Sequence, residues 1–65
     1  MRIIVNGEAQ ETGAETLAEL CARLGYGEIR VATALNGEFI PAVRRPDTPI
    51  SADDRVEIVA PRQGG

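Results

Sequence analysis

Asparagine followed by glycine occurs twice in this chain, at Asn6-Gly7 and Asn36-Gly37, each time directly after a stretch with strand periodicity. No other feature constrains the fold as strongly. A two-residue hairpin turn of type I′ needs positive φ at both positions, which asparagine tolerates and glycine adopts freely. Before the first turn, Met1-Arg2-Ile3-Ile4-Val5 is rich in β-branched residues and sets Met1, Ile3 and Val5 on one face, the pattern of a central strand. Glu8 to Thr12 then returns as a short polar strand, and Gly13 ends it. In the second unit Val31, Thr33 and Leu35 alternate with Ala32 and Ala34, and Glu38-Phe39-Ile40 pairs back until Pro41 limits the ladder.

One helix lies between the hairpins. Thr16-Leu17-Ala18-Glu19 spells a capping box, with the threonine hydroxyl accepting from the Glu19 N–H and the glutamate bonding back. Leu17, Leu20, Cys21 and Leu24 follow at i, i+3, i+4 and i+7, and Gly25 suits the position just past the helix end. The helix therefore runs from Thr16 to about Leu24 and packs through its leucine stripe. Cys21 lies on that stripe and reads as a small buried hydrophobe rather than a redox group. Gly25-Tyr26-Gly27 is not a nucleotide loop, because Arg30 stands where the third glycine belongs and a helix precedes it.

Ala42 to Pro49, with Arg44-Arg45 and two prolines, reads as a surface connection in which Val43 turns inward. The arginine pair is either part of a solvated loop or a docking point for an acidic partner surface. Ile50 plugs the core, Ser51-Ala52-Asp53-Asp54 makes a polar turn, and Val56 and Ile58 alternate with Arg55 and Glu57 in a last strand. That strand stops where Pro61 removes a backbone donor. The first and last strands, both strongly β-branched, are expected to pair centrally as parallel neighbours, with the polar strands at the edges. The sum is an α+β fold, a mixed sheet of four to five strands with one main helix packed on one face.

Sixty-five residues hold one modest core. With no histidine and one cysteine, the chain lacks an internal disulfide, a Cys/His zinc site and any nucleophile driven by histidine. A net charge of −3 argues against a dedicated nucleic-acid binder. All seven basic residues are arginine, which leaves the α-amino group of Met1 as the one amine open to acylation. Nothing resembles a signal peptide or a membrane span, and the cytoplasm is the expected compartment.

The chain ends Pro61-Arg62-Gln63-Gly64-Gly65. The expected division is a folded body over residues 1–60 and a flexible tail over 61–65, reaching ~17 Å from the sheet at ~3.4 Å per residue. Glycine lacks a Cβ, so Gly64-Gly65 can enter a channel too narrow for side chains. The Gly65 carboxylate is then the most accessible reactive group. Arg62 and Gln63 lie in the same tail, and Arg62 is placed to pair with an acidic channel wall. Phe39 falls on the face opposite Ile40, where an exposed aromatic is either a partner anchor or an incidental exposure.

Together these segments resemble the ThiS family, the sulfur carrier proteins of thiamin biosynthesis, which have a ubiquitin-like β-grasp fold. The resemblance spans the whole length and is carried by Ile3-Ile4-Val5-Asn6-Gly7, Thr16-Leu17-Ala18-Glu19-Leu20, Ala34 to Pro41, Asp54 to Pro61 and the final Gly64-Gly65. One departure is Ala52-Asp53-Asp54, where members often have a glycine before the second acidic residue, so the geometry of this turn is open. The resemblance implies a carrier, not an enzyme, with no bound cofactor. A ubiquitin-activating-like adenylyltransferase would use ATP to adenylate Gly65, and sulfur from a cysteine desulfurase route would convert it to a thiocarboxylate for thiazole synthase. A carrier for molybdopterin or another sulfur metabolite, or a ubiquitin-like protein modifier, would begin with the same chemistry.

Overall fold

The computed structural model describes residues 1–27 and 29–61. Both Asn-Gly pairs form the expected tight turns, with φ of 51° and 86° at Asn6 and Gly7 and 52° and 88° at Asn36 and Gly37. The first joins strand β1 (Arg2–Val5) to β2 (Glu8–Glu11), and the second joins β3 (Ala32–Leu35) to β4 (Glu38–Ile40). The last strand, β5 (Arg55–Val59), lies between the two hairpins, so the sheet order is β2-β1-β5-β3-β4. It runs parallel to β1 and antiparallel to β3. The two polar or short strands take the edges, where unpaired backbone meets water.

The helix α1 (Leu17–Arg23) packs one face of this sheet through Leu17, Leu20 and Cys21, all buried. Opposite them stand Ile3, Val5, Val56 and Ile58, with Ile50, Val31 and Ala14 closing the cluster. Thr16 caps the helix as its hydroxyl accepts from the Glu19 N–H at 3.1 Å. The return bond differs from a reciprocal box: the Glu19 carboxylate accepts from the Glu15 N–H, one residue before the cap, at 3.0 Å. At the other end Gly25 takes φ of 93°, its N–H donates to Ala22 O, and the Tyr26 N–H donates to Cys21 O. These are the two bonds of a Schellman motif, which satisfies carbonyls that the helix end would leave orphaned.

The connection after β4 departs from expectation. Ala42–Asp47 is a 3-10 helix, capped by Pro41 and closed by the Thr48 N–H donating to Arg45 O. Val43 does not turn inward; it is 82% exposed. Arg45 turns in instead, because the fold offers its guanidinium two acceptors on β3 and the residue before it. Beyond the 3-10 helix the chain runs beside the helix start, with the Leu17 N–H on Thr48 O and the Ile50 N–H on Glu15 O. Ile50 is buried as expected.

The turn at Ala52-Asp53-Asp54, where the resemblance implies a glycine, has a glycine-like conformation at Asp53. Asp53 has φ of 70°, its N–H donates to Arg2 O at 2.7 Å, and its carboxylate lies 3.3 Å from the Arg2 guanidinium. Aspartate is one of the few residues with a side chain that visits this region. The result is the β-grasp arrangement, a five-stranded mixed sheet holding one helix.

Candidate functional site

The strand that leads to the Gly-Gly end is the central strand of the sheet and is anchored from both hairpins. β5 has a strand on each side, and both hairpin asparagines reach it with their side chains. The Asn6 backbone N–H donates to Val56 O at 2.9 Å, and one step further along β5 its side chain takes over, Oδ1 accepting from the Ile58 N–H at 2.9 Å and Nδ2 donating to Ile58 O at 3.1 Å. A carboxamide thus continues the β1–β5 pairing in place of a backbone unit. Asn36 does the same at the start of the strand, its Oδ1 accepting from the Arg55 N–H at 2.9 Å while its own N–H donates to Arg55 O. Its Nδ2 donates to Asp54 Oδ1, and the second oxygen of Asp54 accepts from the Ser51 N–H. The motif Asn-Gly marks the turns in the sequence, but nothing local to it reveals that each amide clamps a strand far along the chain.

Alternation along β5 turns Val56 and Ile58 toward the helix and Arg55, Glu57 and Val59 to the open face. Val59 is 65% exposed, opposite Ala32 in the ladder, and Phe39 is 64% exposed, opposite Ala34. These four apolar side chains gather on the open face at the end of the sheet where the chain leaves β5. They line a shallow hollow of about 280 Å³ together with Asn6 and Glu57. A second hollow of about 330 Å³ continues from it past Arg30, Val31, Ala60 and Pro61. Phe39 is thus not isolated. Val59, Ala32 and Ala34 were not singled out in the sequence, although the signal was present: the last outward position of β5 is apolar where Arg55 and Glu57 are charged.

Gly65, Gly64, Gln63 and Arg62 lie outside the described residues, as does the tail beyond Pro61. Arg44 and Arg45 separate. Arg44 is exposed, whereas Arg45 is half-buried and bonded within the fold. Cys21 belongs to the core, 4% exposed, and burial raises its thiol pKa while the Arg45 charge pulls weakly the other way. It is therefore a poor nucleophile. Among the described residues no cluster of three or more His, Cys, Asp or Glu side chains is placed to hold a metal ion, and no helix is long and apolar enough to cross a membrane.

Comparison with known proteins agrees with this geometry. The chain is 38% identical over 61 residues to the sulfur carrier protein ThiS of Thermus thermophilus, covering 94% of this chain and 95% of that one. The crystal structure of the thiamine biosynthesis protein ThiS from Geobacter metallireducens superposes with a TM-score of 0.81 at 30% identity, covering the whole of both chains. The family model described as ThiS family matches residues 3–65, through the Gly-Gly end. Strand order, helix position and sequence thus lead to one conclusion: the chain belongs to the ThiS family.

Proposed function

We propose that this protein is a sulfur carrier acting through Gly65 in the formation of the thiamin thiazole. Membership in the ThiS family carries the reading, since a curated relative similar over nearly the full length bears the name sulfur carrier protein. The chemistry is consistent with it. A terminal carboxylate is ionised near neutral pH and is a poor electrophile, so it must be activated before it can take sulfur. A ubiquitin-activating-like adenylyltransferase supplies that activation: a Gly65 oxygen attacks the α-phosphorus of ATP, pyrophosphate leaves, and an acyl adenylate forms. A persulfide from a cysteine desulfurase route then attacks the acyl carbon and expels AMP, and a second thiol cleaves the resulting acyl disulfide, leaving as the disulfide with the persulfide's inner sulfur and releasing the C-terminal thiocarboxylate. The thiocarboxylate so formed gives its sulfur to thiazole synthase.

In this scheme the chain is a substrate presented to other enzymes, and acid, base and metal are theirs. Its own part is recognition. Residues 61–65 carry the end into the partner's site, with Gly64 and Gly65 passing its narrowest part and Arg62 and Gln63 lining the entrance. Phe39, Val59, Ala32 and Ala34 dock on the adenylyltransferase beside that entrance. An apolar cluster next to the point where the tail departs is where a partner must sit to receive it.

The test is ATP–pyrophosphate exchange with the adenylyltransferase. Exchange is expected with the full chain and absent after deletion of Gly65; exchange that survives the deletion refutes the proposed site. Capture of thiazole synthase, and not of a molybdopterin synthase large subunit, by the immobilised protein is the expected pathway result.

A further inference from the structure

The arginine pair at positions 44 and 45 finds no use in the scheme above, and its inward member is unusual in what it holds. Arg45 Nε donates to Thr33 Oγ1 at 2.9 Å, and an Nη donates to Val31 O at 2.6 Å. Thr33 is the one buried polar side chain among the described residues, 2% exposed. Its single hydroxyl proton goes to Ile40 O at 2.8 Å, so the Arg45 N–H meets a hydroxyl lone pair and both bonds form at once. One guanidinium thereby ties the 3-10 helix to the start of β3 and, through one hydroxyl, to the end of β4.

The three residues held this way, Val31, Thr33 and Ile40, lie directly behind the open face. Ala32 sits between Val31 and Thr33, Ala34 follows Thr33, and Phe39 precedes Ile40. Side chains alternate along a strand, so pinning Thr33 inward fixes the outward direction of its neighbours. β4 needs such help: it is three residues long, lies at the sheet edge and pairs with β3 alone. The planar fork of arginine serves both acceptors, which the single ammonium of lysine does not reproduce.

We propose that Arg45 is a positioning residue for the docking face, fixing β3 against β4 so that Ala32, Ala34 and Phe39 present one surface to the adenylyltransferase. The partner half of this statement rests on the proposed function; the positioning half does not. Relaxation dispersion of the Ala32 and Ala34 methyls and the Phe39 ring tests it on the microsecond-to-millisecond scale. Arg45→Gln and Thr33→Val should bring exchange broadening to all three, Arg45→Lys an intermediate effect, and Thr33→Ser none. Ile50→Val, a core truncation on the helix side, is the control and should leave them quiet.

With the partner, Arg45→Gln should raise KM roughly three- to tenfold with kcat within about twofold, the mark of weakened docking rather than weakened chemistry. Quiet signals in Arg45→Gln, or equal broadening in Ile50→Val, overturn the assignment. If Arg45→Gln does not fold, Arg45→Lys and Thr33→Val decide by the same signals. A wild-type chain that is not adenylated counts against the carrier reading, while the dispersion result still decides the role of Arg45.

Discussion

Removal of the Asn6 carboxamide probes the anchoring of the final strand. Asn6→Gly keeps the turn, since glycine accepts the φ of 51°, and deletes both bonds to Ile58. Each bond is worth about 1 kcal/mol net, and the Ile58 amide, in a residue only 5% exposed, is left without its partner. The added freedom of glycine in the unfolded chain costs a further ~0.4–1 kcal/mol. The expected loss is therefore about 2–3 kcal/mol, a large part of the roughly 3–10 kcal/mol available to a domain of this size. Asn6→Ala trades the glycine entropy for left-handed strain of about 1–2 kcal/mol and should lose about 3–4 kcal/mol. Urea unfolding reads both as a shifted midpoint with unchanged slope. Hydrogen exchange at Ile58 locates the effect. A loss under about 1 kcal/mol in Asn6→Gly, or an Ile58 amide as protected as in the wild type, would refute the clamp.

Three other perturbations address separate parts of the account. The Glu19 carboxyl is held below its ordinary value of 4.5, first by the Glu15 N–H and then by Arg23, so its contribution is full above that value and is lost as pH falls through the lower folded one. Glu19→Gln should flatten the acid limb of stability measured by urea melts over that window, and an unchanged limb contradicts the assignment. Asp53→Ala should cost about 1–2 kcal/mol in the same assay through its positive φ, whereas Asp53→Gly should be close to neutral because its exposed pair with Arg2 is worth little. Phe39→Ala should change stability by less than about 0.5 kcal/mol and weaken adenylyltransferase binding by about 1–2 kcal/mol, roughly five- to thirtyfold in Kd by calorimetry.

Much of the fold is legible because a few residues have narrow choices. Asn-Gly in a hairpin demands positive φ, the Leu17–Leu20–Cys21 spacing has one buried solution, and two β-branched strands in a short chain belong at the sheet centre. Features that need a distant partner are not legible. Arg45 is drawn inward by Thr33 and Val31, and no pattern in a short proline-containing segment indicates that it, and not Val43, faces the body. The Asn6 amide meets a strand 52 residues away. The proposed docking face is half legible: Phe39 follows from alternation, but its union with Val59 needs the order of the strands. The chemistry of the Gly-Gly end follows from family resemblance, since no side chain spells it.

The intact mass of the protein purified from its own cells tests the central claim most directly. A species in which one C-terminal oxygen is replaced by sulfur, mapped by fragmentation to Gly65, is the predicted result, and it should accumulate when thiazole synthase is removed. An unmodified Gly65 in those same cells, with the adenylyltransferase and sulfur source present, would contradict the account.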